Sequence, residues 1–221
     1  MPVESEPPTR DVTIPVENAT LHAFLTLPAQ PRGIVLFAHG TGSSRFSTRN
    51  SRVAQALHAA GFGTLLLDLL TPEEDEQDER TGRLRFNIEL LSQRVLQATQ
   101  WLASDRGTPG LPIAYFGAST GAAAALLASL DAGVFAIVSR GGRPDLARDA
   151  LARVRVPTRL IVGGADVPCI PLNVEAGDML SCEKELVIIP GATHLFEEPG
   201  ALDEVARLAA DWFTRYVPPP E

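Results

Sequence analysis

Three residue types at three spacings give this chain its clearest capacity for chemistry: a serine between glycines, a loop aspartate and a late histidine. Gly117-Ala118-Ser119-Thr120-Gly121 forms a G-x-S-x-G string. The string alone is weak, but it directly follows the apolar run 113–116 (IAYF) and directly precedes the alanine- and leucine-rich stretch 121–130. A strand, a sharp turn and a helix in that order expose a serine hydroxyl on a strained elbow. Strand and helix backbones nearly touch there, so the neighbours must be small, as Gly117, Ala118 and Gly121 are. The competing use is an ordinary strand-to-helix turn with a capping serine.

A serine hydroxyl needs a base to take its proton. Of the four histidines, His22 falls in an alternating edge segment, His58 in a helical stretch and His39 at the end of the apolar run 34–38. His194 follows the run 186–189 through Pro190-Gly191-Ala192-Thr193, and it alone comes late enough for the order serine, acid, histidine. Asp166 lies between them, after the run 160–162 and Gly163-Gly164-Ala165; Asp131, Asp145, Asp149 and Asp178 sit in or beside helical stretches. An acid there would hold the imidazole in one tautomer and stabilise the imidazolium. His39 competes with His194 as base, but its place at a strand end before glycine suits a loop anchor better.

An acyl-transfer intermediate needs two amide donors at its oxyanion. The N–H of Thr120, next after the serine, is one candidate. The N–H of Thr41, in the loop His39-Gly40-Thr41-Gly42-Ser43-Ser44, is the other. Phosphate binding by this loop fails, since neither G-x-G-x-x-G nor Gly-Lys-Ser/Thr follows.

These groups must be positioned by something, and the hydrophobic pattern says what. Unalternating apolar runs at 34–38, 64–67, 113–116, 134–138, 160–162 and 186–189 suit strands buried on both faces of a parallel sheet. Residues 11–16 and 20–27 alternate as an antiparallel hairpin at a sheet edge. Helical periods lie between: Val53, Ala56, Leu57, Ala60; Ile88, Leu91, Val95, Leu102; and Ala201, Val205, Leu208, Trp212. The expected fold is a doubly wound α/β domain over 11–221, its mostly parallel sheet of about eight strands covered by helices on both faces. Residues 1–10, polar and with three prolines, read as a loose tail. Residues 71–85, dense in Glu, Asp and Arg, read as a solvated loop and helix start, or more sharply as a flap over the site.

The totals exclude several functions. The 221 residues suit one domain, and 45% hydrophobic with 21% charged residues is ordinary for a globular protein. A net charge of −8 without a basic stripe excludes a nucleic-acid partner. The longest apolar stretch, 122–128, is far short of the ~20 residues that span a bilayer. No secretory signal opens the chain, and the two cysteines form neither a disulfide framework nor a metal-binding spacing. A reduced, cytoplasmic protein is expected, a monomer or homodimer, with no cofactor and no metal. Cys169, three residues after Asp166, reads as a small packing residue.

With these motifs placed, the chain resembles the α/β-hydrolase superfamily, and more narrowly the dienelactone hydrolase family. Within that it is similar to a subgroup also seen beside phosphoribosyltransferase domains. The matching stretches are HGTGSSRFSTRN (39–50), LLLDLLTPEE (65–74), YFGASTGAAAALLA (115–128), SRGGRPDLA (139–147) and PGATHLFEEPGAL (190–202). The resemblance implies an α/β-hydrolase fold with little or no lid and activity on small esters. Dienelactone hydrolases proper carry cysteine where this chain has Ser119, so the resemblance does not transfer the substrate.

Together these readings predict a serine hydrolase of small carboxylic esters or lactones, working through Ser119, His194 and Asp166. The same machinery would serve a thioesterase or a hydrolase of activated phosphoesters. A non-catalytic, hydrolase-like binding module is the rival from another class. Arg45 and Arg140 fall at the carboxyl edge of the sheet, where they either pair with nearby carboxylates or grip an anionic substrate group. Phe86 and Phe196, with Phe46 and Leu70, are candidate pocket walls.

Overall fold

The computed structural model describes residues 7–104 and 108–219. Eight strands form one sheet: β1 (Thr9–Val16), β2 (Ala19–Thr26), β3 (Ile34–Ala38), β4 (Gly63–Leu67), β5 (Ile113–Ala118), β6 (Ile137–Arg140), β7 (Thr158–Gly163) and β8 (Lys184–Ile189). Their spatial order is β1-β2-β4-β3-β5-β6-β7-β8. The β1–β2 and β2–β4 pairs are antiparallel and all the others parallel. The central strands β3, β4, β5 and β7 are buried at every residue, which is why their apolar runs, 34–38, 65–67, 113–116 and 160–162, show no alternation. Strand β8 is an edge strand and partly exposed, with Ile188 at 43%.

Among the described residues, seven α-helices accompany the sheet: α1 (Thr48–Ala59), α2 (Pro72–Thr81), α3 (Ile88–Ser104), α4 (Thr120–Ala128), α5 (Arg148–Leu151), α6 (Cys169–Met179) and α7 (Ala201–Tyr216). One core joins Ile34, Leu36 and Ala38 of β3 to Leu91 and Val95 of α3 and Ala123 to Leu126 of α4. The other joins Val35 and Phe37 of the same strand to Val53 and Leu57 of α1 and to Val205, Leu208 and Trp212 of α7. Strand alternation thus feeds two separate cores, each closed by the apolar stripe of its helices.

Three expectations change. Residues 9 and 10, assigned to the tail, begin β1, where Thr9 Oγ1 lies 2.8 Å from Thr26 Oγ1; residues 1–6 lie outside those described. The run 134–138 becomes strand only from Ile137, and the strand continues into polar Ser139 and Arg140. Residues 71–85 hold a well-anchored helix. Thr71 and Glu74 form a reciprocal capping box, and Gly82 closes α2 in the left-handed region. Asp78, 1% exposed, accepts from Leu84 N–H and pairs with Arg85, while Glu74 pairs with Arg94 at 2.7 Å.

Candidate active site

Strand β5 ends in the elbow. Ser119 has φ +50° and ψ −122°, a strained conformation for a residue with a side chain. Its backbone is held on both sides: its N–H donates to the Arg140 carbonyl at 3.3 Å, and its carbonyl accepts from Ala122 and Arg143 N–H at 3.1 and 3.0 Å. The approach of α4 to β3 requires glycine at 121, where a Cβ would lie 2.1 Å from the Ala38 oxygen and 2.5 Å from the His39 oxygen. Gly40 fits as closely against the elbow, 2.8 Å from its would-be Cβ to Ser119 Cβ.

Asp166 and His194 come from the loops after β7 and β8. These loops are stitched together by Gly164 N–H to the Ile189 carbonyl at 2.8 Å and Ala165 N–H to the Ala192 carbonyl at 2.9 Å. A Cβ at Gly163 would lie 2.2 Å from the Ala192 oxygen, so glycine there sets their spacing. His194 Nδ1–H donates to Asp166 Oδ2 at 2.7 Å, leaving Nε2 free to act as base. The Asp166 side chain is 7% exposed and that of His194 37%, a buried acid behind an accessible imidazole. The His194 ring also borders the loop after β6, its Cε1 3.6 Å from the position of a Cβ on Gly141, and Gly141 N–H bonds the Ile161 carbonyl.

Thr41 and Thr120 sit side by side, with their hydroxyls 3.2 Å apart. His39 is an anchor: Nδ1–H donates to the Gly40 carbonyl at 2.9 Å, and Nε2 accepts from Leu69 N–H at 3.0 Å. Both ring nitrogens are used, and burial holds the pKa of this histidine below its ordinary 6.5. It is fixed as a neutral imidazole linking the loops after β3 and β4.

The expected substrate contacts fare differently. Arg45 is taken up within the protein: its Nη1 pairs with Asp68, its N–H donates to the same carboxylate at 2.6 Å, and its guanidinium lies over the rings of Phe46 and Phe24 at 4.4 and 5.0 Å. Phe196 is 1% exposed and packs in the α1–α7 core, its φ of +57° turning the chain inward two residues after His194. Phe86 is 53% exposed and lines an outer groove with Leu127 and Leu146, a groove that contains none of Ser119, Asp166 and His194. Phe196 thus supports the His194 loop from the core side, its Cε2 3.3 Å from the position of a Cβ on Gly141. Leu70 does line a small cavity with Thr41, Thr120 and Leu91, but its volume of about 20 Å³ holds little more than one water.

Arg140 keeps its interest. It is 7% exposed at the end of β6, in register with Ala118, and its Nε and Nη1 have no hydrogen-bond partner among the described residues. Burial, and then the nearby charge of Arg49, push its pKa down to about 10. Cys169, expected to be a small packing residue, is buried as expected but also stands against the imidazole. Its Sγ lies 3.7 Å from His194 Nδ1, and burial together with Asp166 pushes the thiol up to about 11. It is a free thiol, as is Cys182. Among the described residues no helix is long and apolar enough to cross a membrane.

The comparisons with known proteins agree with this architecture. No protein-family model matches the chain. Two curated Mycobacterium tuberculosis proteins (strains CDC 1551 and H37Rv) that carry a phosphoribosyl transferase name are 54% identical over 213 residues, 95% of this chain. The chain spans about half the length of these relatives, 47%. Among solved structures, the lidless α/β serine hydrolase XC6422 of Xanthomonas campestris is 18% identical with a TM-score of 0.79, covering 100% of this chain and 99% of its own. Est1E of Butyrivibrio proteoclasticus is 14% identical with a TM-score of 0.78, over 93% and 98%. Both share the fold. A dienelactone hydrolase from Anabaena variabilis ATCC 29413 is 53% identical with a TM-score of 0.94, and the match covers 97% of this chain and 100% of that one. With that identity across the whole of a solved relative, the chain belongs to the dienelactone hydrolase family of α/β-hydrolases.

Proposed function

We propose that this hydrolase cleaves small carboxylic esters or lactones, with Ser119 as nucleophile, His194 as general base and Asp166 as the acid that orients it. The observation that carries the reading is the 2.7 Å bond from His194 Nδ1–H to a buried Asp166, on loops at the sheet edge where the strained Ser119 elbow also stands. His194 Nε2 takes the hydroxyl proton as Ser119 Oγ attacks the carbonyl carbon. The N–H groups of Thr41 and Thr120 receive the oxyanion, a contribution of about 3–4 kcal/mol per donor in such sites. The imidazolium then returns its proton to the leaving alkoxide, and water, activated by the same base, releases the acid from the acyl-enzyme.

A further element of the proposal is that the preferred substrates carry an anionic group close to the scissile bond. Its support is Arg140, a buried guanidinium beside the elbow with two nitrogens unbonded among the described residues, and with the charge of Arg49 acting against its own. An uncompensated buried charge is costly, and an arriving carboxylate would relieve it. The test is a panel of p-nitrophenyl esters and lactones, matched in size with and without a carboxylate. Hydrolysis of the panel at enzymatic rates, lost in Ser119→Ala, is the expected outcome. Failure to turn over any ester, lactone or thioester would favour a binding module instead.

A further inference from the structure

Asp166, Cys169 and His194 place a carboxylate oxygen, a thiol sulfur and an imidazole nitrogen all within 4.8 Å of one another. We propose that these three residues form a binding site for a thiophilic divalent cation, Zn²⁺ in kind, and that its occupation switches hydrolysis off.

The geometry is local and built. Cys169 opens α6, and its N–H donates to the Asp166 carbonyl at 3.0 Å, as does that of Ile170 at 3.3 Å. This single turn puts sulfur and carboxylate on the same side, facing His194 from the stitched β8 loop. Tetrahedral zinc with bonds of about 2.3 Å to sulfur and 2.0–2.1 Å to nitrogen holds those two atoms about 3.6 Å apart. Here Cys169 Sγ and His194 Nδ1 stand 3.7 Å apart. The Asp166–His194 pair, now 2.7 Å, would have to open to about 3.4 Å, the separation of an oxygen and a nitrogen on one tetrahedral zinc. Asp166 and Cys169 are buried and His194 is partly exposed, so the cation reaches the site along the imidazole, with water as fourth ligand. Arg143, whose charge acts on the Cys169 thiol, is engaged by Asp145 through two bonds of 2.9 and 2.8 Å.

Binding releases the thiol proton to solvent, while the imidazole stays neutral and changes tautomer, its proton passing by way of water from Nδ1 to Nε2. Competition with the thiol proton, loss of the Asp166–His194 bond and only three protein ligands place the affinity on the order of micromolar, far below that of four-ligand structural zinc. The consequence for catalysis rests on the proposal that His194 is the base: with Nδ1 on the metal, Asp166 no longer orients the ring, and hydrolysis stops reversibly.

The experiment uses Co²⁺ as a spectroscopic probe and Zn²⁺ as inhibitor, on the wild type and on Cys169→Ala, Cys169→Ser and Cys182→Ala. Wild type and Cys182→Ala are expected to show a chelator-reversible thiolate-to-Co²⁺ absorption in the near ultraviolet, and both Cys169 variants to lack it. Both Cys169 variants should keep their basal hydrolysis and need at least about tenfold more Zn²⁺ for half inhibition, as loss of one of three ligands demands. Absence of the band in wild type, or its persistence in both Cys169 variants, would overturn the site. A Cys169-dependent band in a protein that hydrolyses no ester would leave the site standing and overturn the hydrolase reading instead.

Discussion

Replacing Arg140 by methionine should make this protein more stable and a worse enzyme at once. The guanidinium is 7% exposed, and burial that pushes its pKa down to about 10 corresponds to a penalty on the order of 3 kcal/mol against the buried cation. Methionine keeps an unbranched apolar stem in the same space and removes the charge, while imperfect filling costs about 1–2 kcal/mol. The net gain of about 1–2 kcal/mol should raise the melting temperature by roughly 3–6 °C in a domain of this size. If Arg140 grips an anionic substrate group, the lost charge-assisted bond is worth roughly 1.5–3 kcal/mol. The kcat/KM of a carboxylate-bearing ester should then fall about ten- to a hundredfold, and that of a neutral ester of equal size by less than about threefold. The assay is a melting curve alongside the ratio of the two kcat/KM values in both proteins. A lower melting temperature with an unchanged ratio would refute the reasoning, since it would mean that the protein itself satisfies the charge.

Other perturbations test the framework around the serine. Gly121→Ala sets a methyl 2.1 Å from the Ala38 oxygen, so α4 must move about 1 Å; kcat should fall about a hundredfold while stability falls only about 1–3 kcal/mol. Steady-state rates within threefold of wild type would show that the elbow tolerates the shift. His39 is held neutral with its pKa below 6.5, so the unfolded chain takes up a proton first on acidification. Its stabilising contribution is therefore complete above pH 6.5 and lost as the pH falls from there through the folded value. Urea midpoints between pH 7 and 5 should fall more steeply in wild type than in His39→Gln; parallel slopes would refute this. Asp166→Asn should reduce kcat by about 10⁴ with the fold intact, as judged by circular dichroism, because the imidazole loses its oriented tautomer; a loss below tenfold would remove Asp166 from the mechanism.

The sheet was legible where burial is two-sided. Runs 34–38, 64–67, 113–116 and 160–162 fall within strands because a strand covered on both faces has no polar face to show. The β6 run misled because Val134 and Ala136 are buried lead-in residues, while the strand proper ends in Ser139 and Arg140. Helix α6 has no clear apolar stripe and carries Pro171 in its first turn, so periodicity passes over it. In the site, Asp166 and His194 were readable as strand-end loop residues in the right order, and their loops do meet. Side-chain partners were not readable. Nothing in the sequence near Arg45 announces Asp68 on another strand's end, and aromatic type alone does not separate Phe196, turned into the core, from Phe86, turned outward. The packing role expected of Cys169 left out its neighbour: three residues after a loop acid is one turn of the following helix, which puts the thiol beside the imidazole that the acid holds.

The central claim is that Ser119 is the nucleophile. Treatment with a fluorophosphonate, then peptide mapping by mass spectrometry, tests it without assuming any substrate. One covalent adduct is expected, on Ser119, with ester hydrolysis lost in proportion to labelling and no labelling of Ser119→Ala. An adduct on any other residue, or an unlabelled protein that still hydrolyses esters, would contradict it.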